Sequence, residues 1–180
     1  MKKRLPISRS LIKLAAFVVI LMTSINSYAQ KAKLQTAFIY QITQLIEWCP
    51  DGKEGNFTIG VLGNEGELMS ELNALNNRRV GTQQVEVINI ADLSGLSKTN
   101  ILFVPQSQFN NIDQVTSRVS GFCTLIISDR PDSVTRGAGI SIVYDERHGR
   151  LVLEINTRYM RANSLNVNRR LIDLASNVHY

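Results

Sequence analysis

The stretch "NILFVPQSQFNNIDQVTSRVSGFCTLIISD", Asn100 to Asp129, decides the fold. It begins and ends on short continuous apolar runs, "NILFVP" and "CTLIISD", and between them Ile112, Val115 and Val119 recur at helical spacing. Runs that are apolar throughout fit strands of a sheet covered on both faces. Strand, helix and strand in succession favour a parallel crossover. Toward the N-terminus the pattern repeats: "FTIGVLG" (Phe57 to Gly63) reads as a strand, "NEGELMSELNAL" as a helix, and "VEVINI" (Val85 to Ile90) as a further strand. Toward the C-terminus "GISIVYDE" and "RLVLEIN" flank "RHG" closely enough for an antiparallel hairpin turning near Arg147 to Gly149. Beyond it Val167, Leu171, Leu174, Ala175 and Val178 fall on one helical face and predict a closing helix. The expected architecture is α/β: a mostly parallel sheet with helices on both faces, a Rossmann-like sandwich, ended by a C-terminal β-hairpin and that closing helix.

The first 29 residues read differently. Lys2, Lys3, Arg4, Arg9 and Lys13 precede the apolar run "LAAFVVILMTSI", and "SYA" at Ser27 to Ala29 offers small residues for cleavage before Gln30. The apolar run is short of the roughly 20 residues that span a bilayer. The expectation is a cleaved export signal over residues 1–29 and one soluble periplasmic domain over 30–180, with no membrane insertion after cleavage. The leader removes five of the 20 Lys and Arg residues and none of the 15 Asp and Glu, so the remainder is charge-balanced. A nucleic-acid partner would want a basic face, and the charge total offers none.

Ahead of the first strand, "KLQTAFIYQITQLIEW" sets Leu34, Ala37, Phe38, Ile42 and Leu45 on one helical face, widened by Ile39, Tyr40 and Ile46. Such a stripe is either covered on two sides or open to a partner. Phe38, Ile39, Tyr40, Ile42 and Trp48 are its candidate partner-binding residues, since aromatic side chains are frequent binding anchors. Cys49 and Cys123 either pair in the oxidising compartment beyond the inner membrane or remain buried thiols. Two soft ligands alone do not make a metal site.

Catalytic patterns are sparse. His148 sits at the hairpin tip and His179 near the end of the chain, neither with a metal-ligand or nucleophile partner at a telling spacing. "GVLGNEG" occupies the place of a phosphate-binding turn without its motif, and a tight strand-to-helix turn explains the glycines. Arg78 and Arg79 read as a solvated loop. Asp129 and Arg130 follow a strand where open α/β sheets collect ligands, and are the candidate ligand-binding pair. Asn156, where the last strand ends, reads as structural, satisfying backbone groups. No catalytic residue, metal or cofactor is expected. An enzyme would have to work through Asp129 or His148.

In order and spacing, "TAFIYQITQLIEW", "FTIGVLG", "NILFVP", "TLIISD", "GAGISIV" and "RLVLEINTRYMRANSLNVNRRLIDLAS" resemble the YfiR-like family of periplasmic proteins over about Leu34 to Val178. The resemblance implies an α/β sandwich, often dimeric, without enzymatic activity. It implies a partner in the inner membrane, a diguanylate cyclase or a sensor kinase, held in check by protein–protein contact. Neither cysteine matches one of the redox-sensing member, so redox control is not carried over. Asn168, Arg169 and Arg170 also depart from the small polar residues of relatives in the closing helix. The rival expectation is a periplasmic small-ligand module built on the loops after "FTIGVLG" and "TLIISD".

Overall fold

The computed structural model describes residues 29–180. The expected export signal lies, apart from Ala29, outside the described residues. Helix α1 runs through residues 29–44 and is followed by the two-residue strand β1, Ile46–Glu47. Pro50 and Gly52 then break the chain into a short 3-10 turn, and Cys49 caps it by accepting from the Gly52 amide on sulfur at 3.3 Å.

The apolar runs become the centre of one sheet. Strands β2 (Phe57–Leu62), β5 (Ile101–Val104) and β6 (Leu125–Ser128) lie side by side and parallel, with Ile59 opposite Ile101 and Ile101 opposite Leu125. Every residue of β5 and β6 is buried. Burying one such aliphatic or Phe side chain contributes about 1.5–3 kcal/mol, so these strands anchor the core. Helix α2 (Gly66–Asn73) leads to strands β3 (Arg79–Val80) and β4 (Gln83–Ile90), and β4 pairs parallel to the other side of β2. A 3-10 segment, Gln106–Asn111, feeds helix α3 (Ile112–Val119), which buries Ile112, Val115 and Val119.

Strands β7 (Ile140–Asp145) and β8 (Arg150–Asn156) form the antiparallel hairpin, and β7 lies parallel to β6. Gly139 precedes β7 because no side chain fits there: a Cβ would lie 2.6 Å from the Tyr159 ring and 2.8 Å from Leu125. With the last strand, β10 (Asn177–His179), the sheet order is β10-β8-β7-β6-β5-β2-β4-β3, a mostly parallel eight-stranded sheet with helices.

The C-terminal part departs from the expected long helix. After helix α4 (Thr157–Ala162) comes strand β9 (Asn166–Val167), which pairs antiparallel to β1. Helix α5 then spans only Arg169–Leu174, and β10 (Asn177–His179) runs parallel to β8. Of the periodic residues, Val167 and Val178 therefore sit in strands. Long-range pairing overrides local period here: the Ser176 amide donates to the Leu153 carbonyl at 2.8 Å, drawing the chain out of the helix and onto the sheet.

Candidate functional site

Helix α1 chooses an unexpected face. Ala32, Gln35, Thr36, Ile39, Ile42 and Thr43 turn inward, at helical spacing, while Leu34, Phe38 and Leu45 are only partly buried and Ala37 is exposed. Ile39 and Ile42 are fully buried, and Trp48 is 5% exposed. The Trp48 indole packs edge-on against Phe57 at 4.9 Å and donates to the Thr43 carbonyl at 3.2 Å. These three expected contact residues are core side chains in this structure. The reason is that the helix carries more apolar surface than one side of a sheet can cover, so one stripe must go in and the other out.

Phe38 and Tyr40 remain partly accessible, and Tyr40 is held by a hydroxyl bond to the Arg79 carbonyl at 3.1 Å. The outward strip continues onto α5. Gln41, Leu45, Arg170, Asp173 and Leu174 line a shallow depression of about 380 Å³, and Leu174 is 50% exposed. Inside, Gln35 and Thr36 bury side-chain polar atoms that have no hydrogen-bond partner among the described residues. Thus α1 buries Gln35 and Thr36 beside Ile39 and Ile42, while Phe38 and Leu45 pack against the core with only part of their surface.

A second feature lies at the carboxyl ends of the strands. Asp129 accepts from Lys31 Nζ and from the Gln106 amide, each at 2.8 Å. It lines a crevice of about 240 Å³ together with Gln35 and the start of α2. Arg130 does not join it. Its guanidinium lies 4.9 Å from the Phe109 ring centroid, with Arg136 at 5.2 Å from the same ring. The two members of the expected ligand pair therefore face different surroundings.

Cys49 and Cys123 are joined by a disulfide, with Cα atoms 6.3 Å apart. Beside it Asn100, which sequence reading passed over, fastens the loop to the sheet. Its side chain donates to the Gly52 carbonyl at 2.6 Å and accepts from the Thr58 amide at 2.9 Å. Asn156 caps α4 by accepting from the Tyr159 amide at 2.9 Å and donates to the Val134 carbonyl at 2.8 Å. The Tyr159 hydroxyl donates to the Thr124 carbonyl at 2.7 Å, and burial pushes its phenol well above the ordinary tyrosine range.

The histidines pair with neighbouring carboxylates. His148 Nδ1 is 2.6 Å from Asp145, and His179 Nε2 is 3.2 Å from Glu154. The His148 hydrogen bond, chiefly, holds the Asp145 carboxyl below the usual range. Among the described residues no group of three His, Cys, Asp or Glu side chains is placed to hold a metal ion, and no helix is long and apolar enough to cross a membrane.

The family model described as YfiR/HmsC-like matches residues 32–176. No curated protein sequence matches the chain. Among solved structures, the chain is similar to an ABC domain in complex with L-Trp from Streptococcus pneumoniae, at 14% identity and a TM-score of 0.55 over 82% of this chain. It is also similar to a conserved domain protein from Vibrio cholerae, at 12% identity and a TM-score of 0.57, again over 82% of this chain. In each case the chain spans 60% of the other protein's length. At such identities the likeness concerns the α/β fold alone.

Proposed function

We propose, for a chain that belongs to the YfiR/HmsC-like family, that it is a non-enzymatic periplasmic regulator. Its target in this reading is a membrane-bound signalling protein, a diguanylate cyclase or a sensor kinase, controlled by direct contact with the sensor segment outside the inner membrane. The observation that supports the contact reading is the apolar surplus of α1. A segment that buries Ile39 and Ile42 and still leaves Leu34, Phe38 and Leu45 only partly buried has an outer strip that a partner can cover. Leu174 extends the strip onto α5, so the contact spans two elements that are distant in sequence.

The test uses photo-cross-linking side chains placed at Phe38, Leu45 and Leu174 in the native cell envelope, with Glu146 on the hairpin as a control. Transfer to an inner-membrane cyclase or kinase from the first three, and not from the control, is the expected result. Phe38→Ser with Leu174→Ser should also change the output of that signalling protein while the unfolding midpoint stays near that of the unaltered chain. Cross-links only to a second copy, or unchanged signalling by a folded double variant, would overturn the assignment of this strip.

A further inference from the structure

We propose that Arg130 and Arg136 form a receiving pair for an acidic segment of a protein partner, built on residues outside the α1 strip. The sequence joins the two through one short loop. Arg130 follows β6, and Arg136 ends the 3-10 turn Ser133–Arg136 that leads into β7. The fold aims both at one side chain. The Arg130 guanidinium lies 4.9 Å from the centroid of the Phe109 ring, and the Arg136 guanidinium lies 5.2 Å from it. Phe109 is fully buried, so its ring is a fixed floor under both.

One cation over an aromatic face is a common and favourable contact. Two over the same ring bring like charges together, and their repulsion calls for an anion. Neither guanidinium makes an ion pair among the described residues. Arg118, Arg158 and Arg161, by contrast, donate to backbone carbonyls. The acids nearest in sequence are otherwise placed. Asp129 is held by Lys31 and the Gln106 amide. Asp132, exposed on a left-handed turn, and Asp113, in the first turn of α3, reach neither arginine within ion-pair distance. The backbone beneath the pair is fixed. The Arg130 amide donates to Ser128 Oγ at 3.2 Å, and its carbonyl accepts from Ser141 Oγ at 3.1 Å, both serines being fully buried. Gly137 closes the turn behind Arg136 in the left-handed region, against the Thr116 side chain. Groups carried on fixed backbone lose less entropy when they bind.

The planar fork of arginine donors suits the oxygens of carboxylates and phosphates. Charge argues against a lipid surface, which is gripped by clusters of about four to eight basic residues. Here there are two, in a chain that is charge-balanced beyond the expected leader. A small free anion is also a poor match, because Arg136 is exposed and Arg130 only half-buried, so salt screens a single contact. A protein segment brings two carboxylates at once. Acidic side chains four residues apart on a helix stand about 5–6 Å from each other, within the span of two guanidiniums that share one ring.

The experiment follows the side-chain Nε–H signals of Arg130 and Arg136 by NMR in the isotope-labelled chain with its disulfide intact. Three probes are titrated at low salt: an alanine-based helical peptide with glutamates four residues apart, inorganic phosphate, and phosphatidylglycerol vesicles. The expected result is saturable movement of both signals by the peptide, at lower concentration than by phosphate, and none by the vesicles. Arg130→Gln with Arg136→Gln should weaken peptide binding roughly tenfold. Arg78→Gln with Arg79→Gln removes the same charge elsewhere and should change it less than about twofold. Arg130→Lys with Arg136→Lys keeps the charge and a cation over Phe109, and carries the test if the glutamine pair does not fold. It should bind the peptide roughly threefold less tightly, for want of the donor fork. Signals unmoved by the peptide would overturn the proposal. So would tighter binding of phosphate or vesicles, an equal loss in the Arg78 and Arg79 variant, or undiminished binding to the lysine pair. None of these measurements involves Phe38, Leu45 or Leu174, so the outcome is separate from that of the α1 strip.

Discussion

Replacing Asn156 by alanine removes two interactions at one position. The first is the cap on α4, in which the side-chain oxygen accepts from the Tyr159 amide at 2.9 Å. Loss of such a cap costs about 1 kcal/mol. The second is the bond from the side-chain nitrogen to the carbonyl of buried Val134 at 2.8 Å. A carbonyl left without its donor costs about 1–2 kcal/mol, the lower end applying where water reaches it. Together the change should destabilise the chain by about 2–3 kcal/mol. At about 2–4 °C per kcal/mol for a chain of this size, the melting point should fall by roughly 4–12 °C. Urea unfolding followed by circular dichroism, without reductant so that the disulfide stays intact, measures the difference. Asn156→Asp divides the two contributions, because a carboxylate oxygen can still cap α4 but cannot donate to Val134. An alanine variant within about 0.5 kcal/mol of the unaltered chain would refute the reasoning, since surface substitutions with no structural role commonly fall in that range. Full stability in the aspartate variant would refute the Val134 contribution alone.

Three further outcomes are expected. Reducing the Cys49–Cys123 bond, which links positions 74 apart in sequence, should lower stability by about 4 kcal/mol on the chain-entropy account, measured as the urea midpoint of Cys49→Ser/Cys123→Ser against the oxidised chain. Gly139→Ala should cost about 1–3 kcal/mol by forcing a methyl group into the Tyr159 ring and Leu125, and an unchanged unfolding midpoint would show that the neighbours yield freely. In an NMR pH titration the Asp145 carboxyl should titrate below the ordinary 3.8, and His148→Ala should raise its midpoint. Because the folded-state value is the depressed one, the hairpin contribution is present above the ordinary aspartate range and is lost as pH falls through the lowered value.

The parts that could be read in advance were those where local pattern and tertiary role coincide. β5 and β6 are short and wholly buried, so their unbroken apolar runs had one sensible reading, and the "RHG" turn tied β7 to β8 by proximity. The orientation of α1 was not legible, because its apolar residues surround the helix and periodicity cannot say which stripe the sheet covers. Gln35 gave no signal at all; a glutamine inside an amphipathic segment looks like a solvated position. Val178 matched a helical period by coincidence of spacing, while its pairing with Ile155 depends on residues far back in the chain. Asn100 and Asp129 show the same limit. Asn100 looks like an ordinary polar residue at a strand start until the fold brings Gly52 to it, and Asp129, though a ligand candidate by its place after a strand, gives no sign in sequence of its pairing with Lys31.

The edges of the sheet bear on how a partner could be recognised. On one side the β4 amides at Val85 and Val87 already donate to the Arg78 carbonyl and the Asn76 side chain, and on the other β10 occupies β8 from Glu154 to Asn156. The terminal strands themselves are short, β10 of three residues and β3 of two, so the described edges offer an incoming peptide little ladder to extend. Backbone pairing tolerates many sequences, whereas contact through side chains demands matching shapes. If the proposed regulator contact holds, its specificity should be sensitive to single substitutions on either surface, and the two surfaces should change together as lineages diverge.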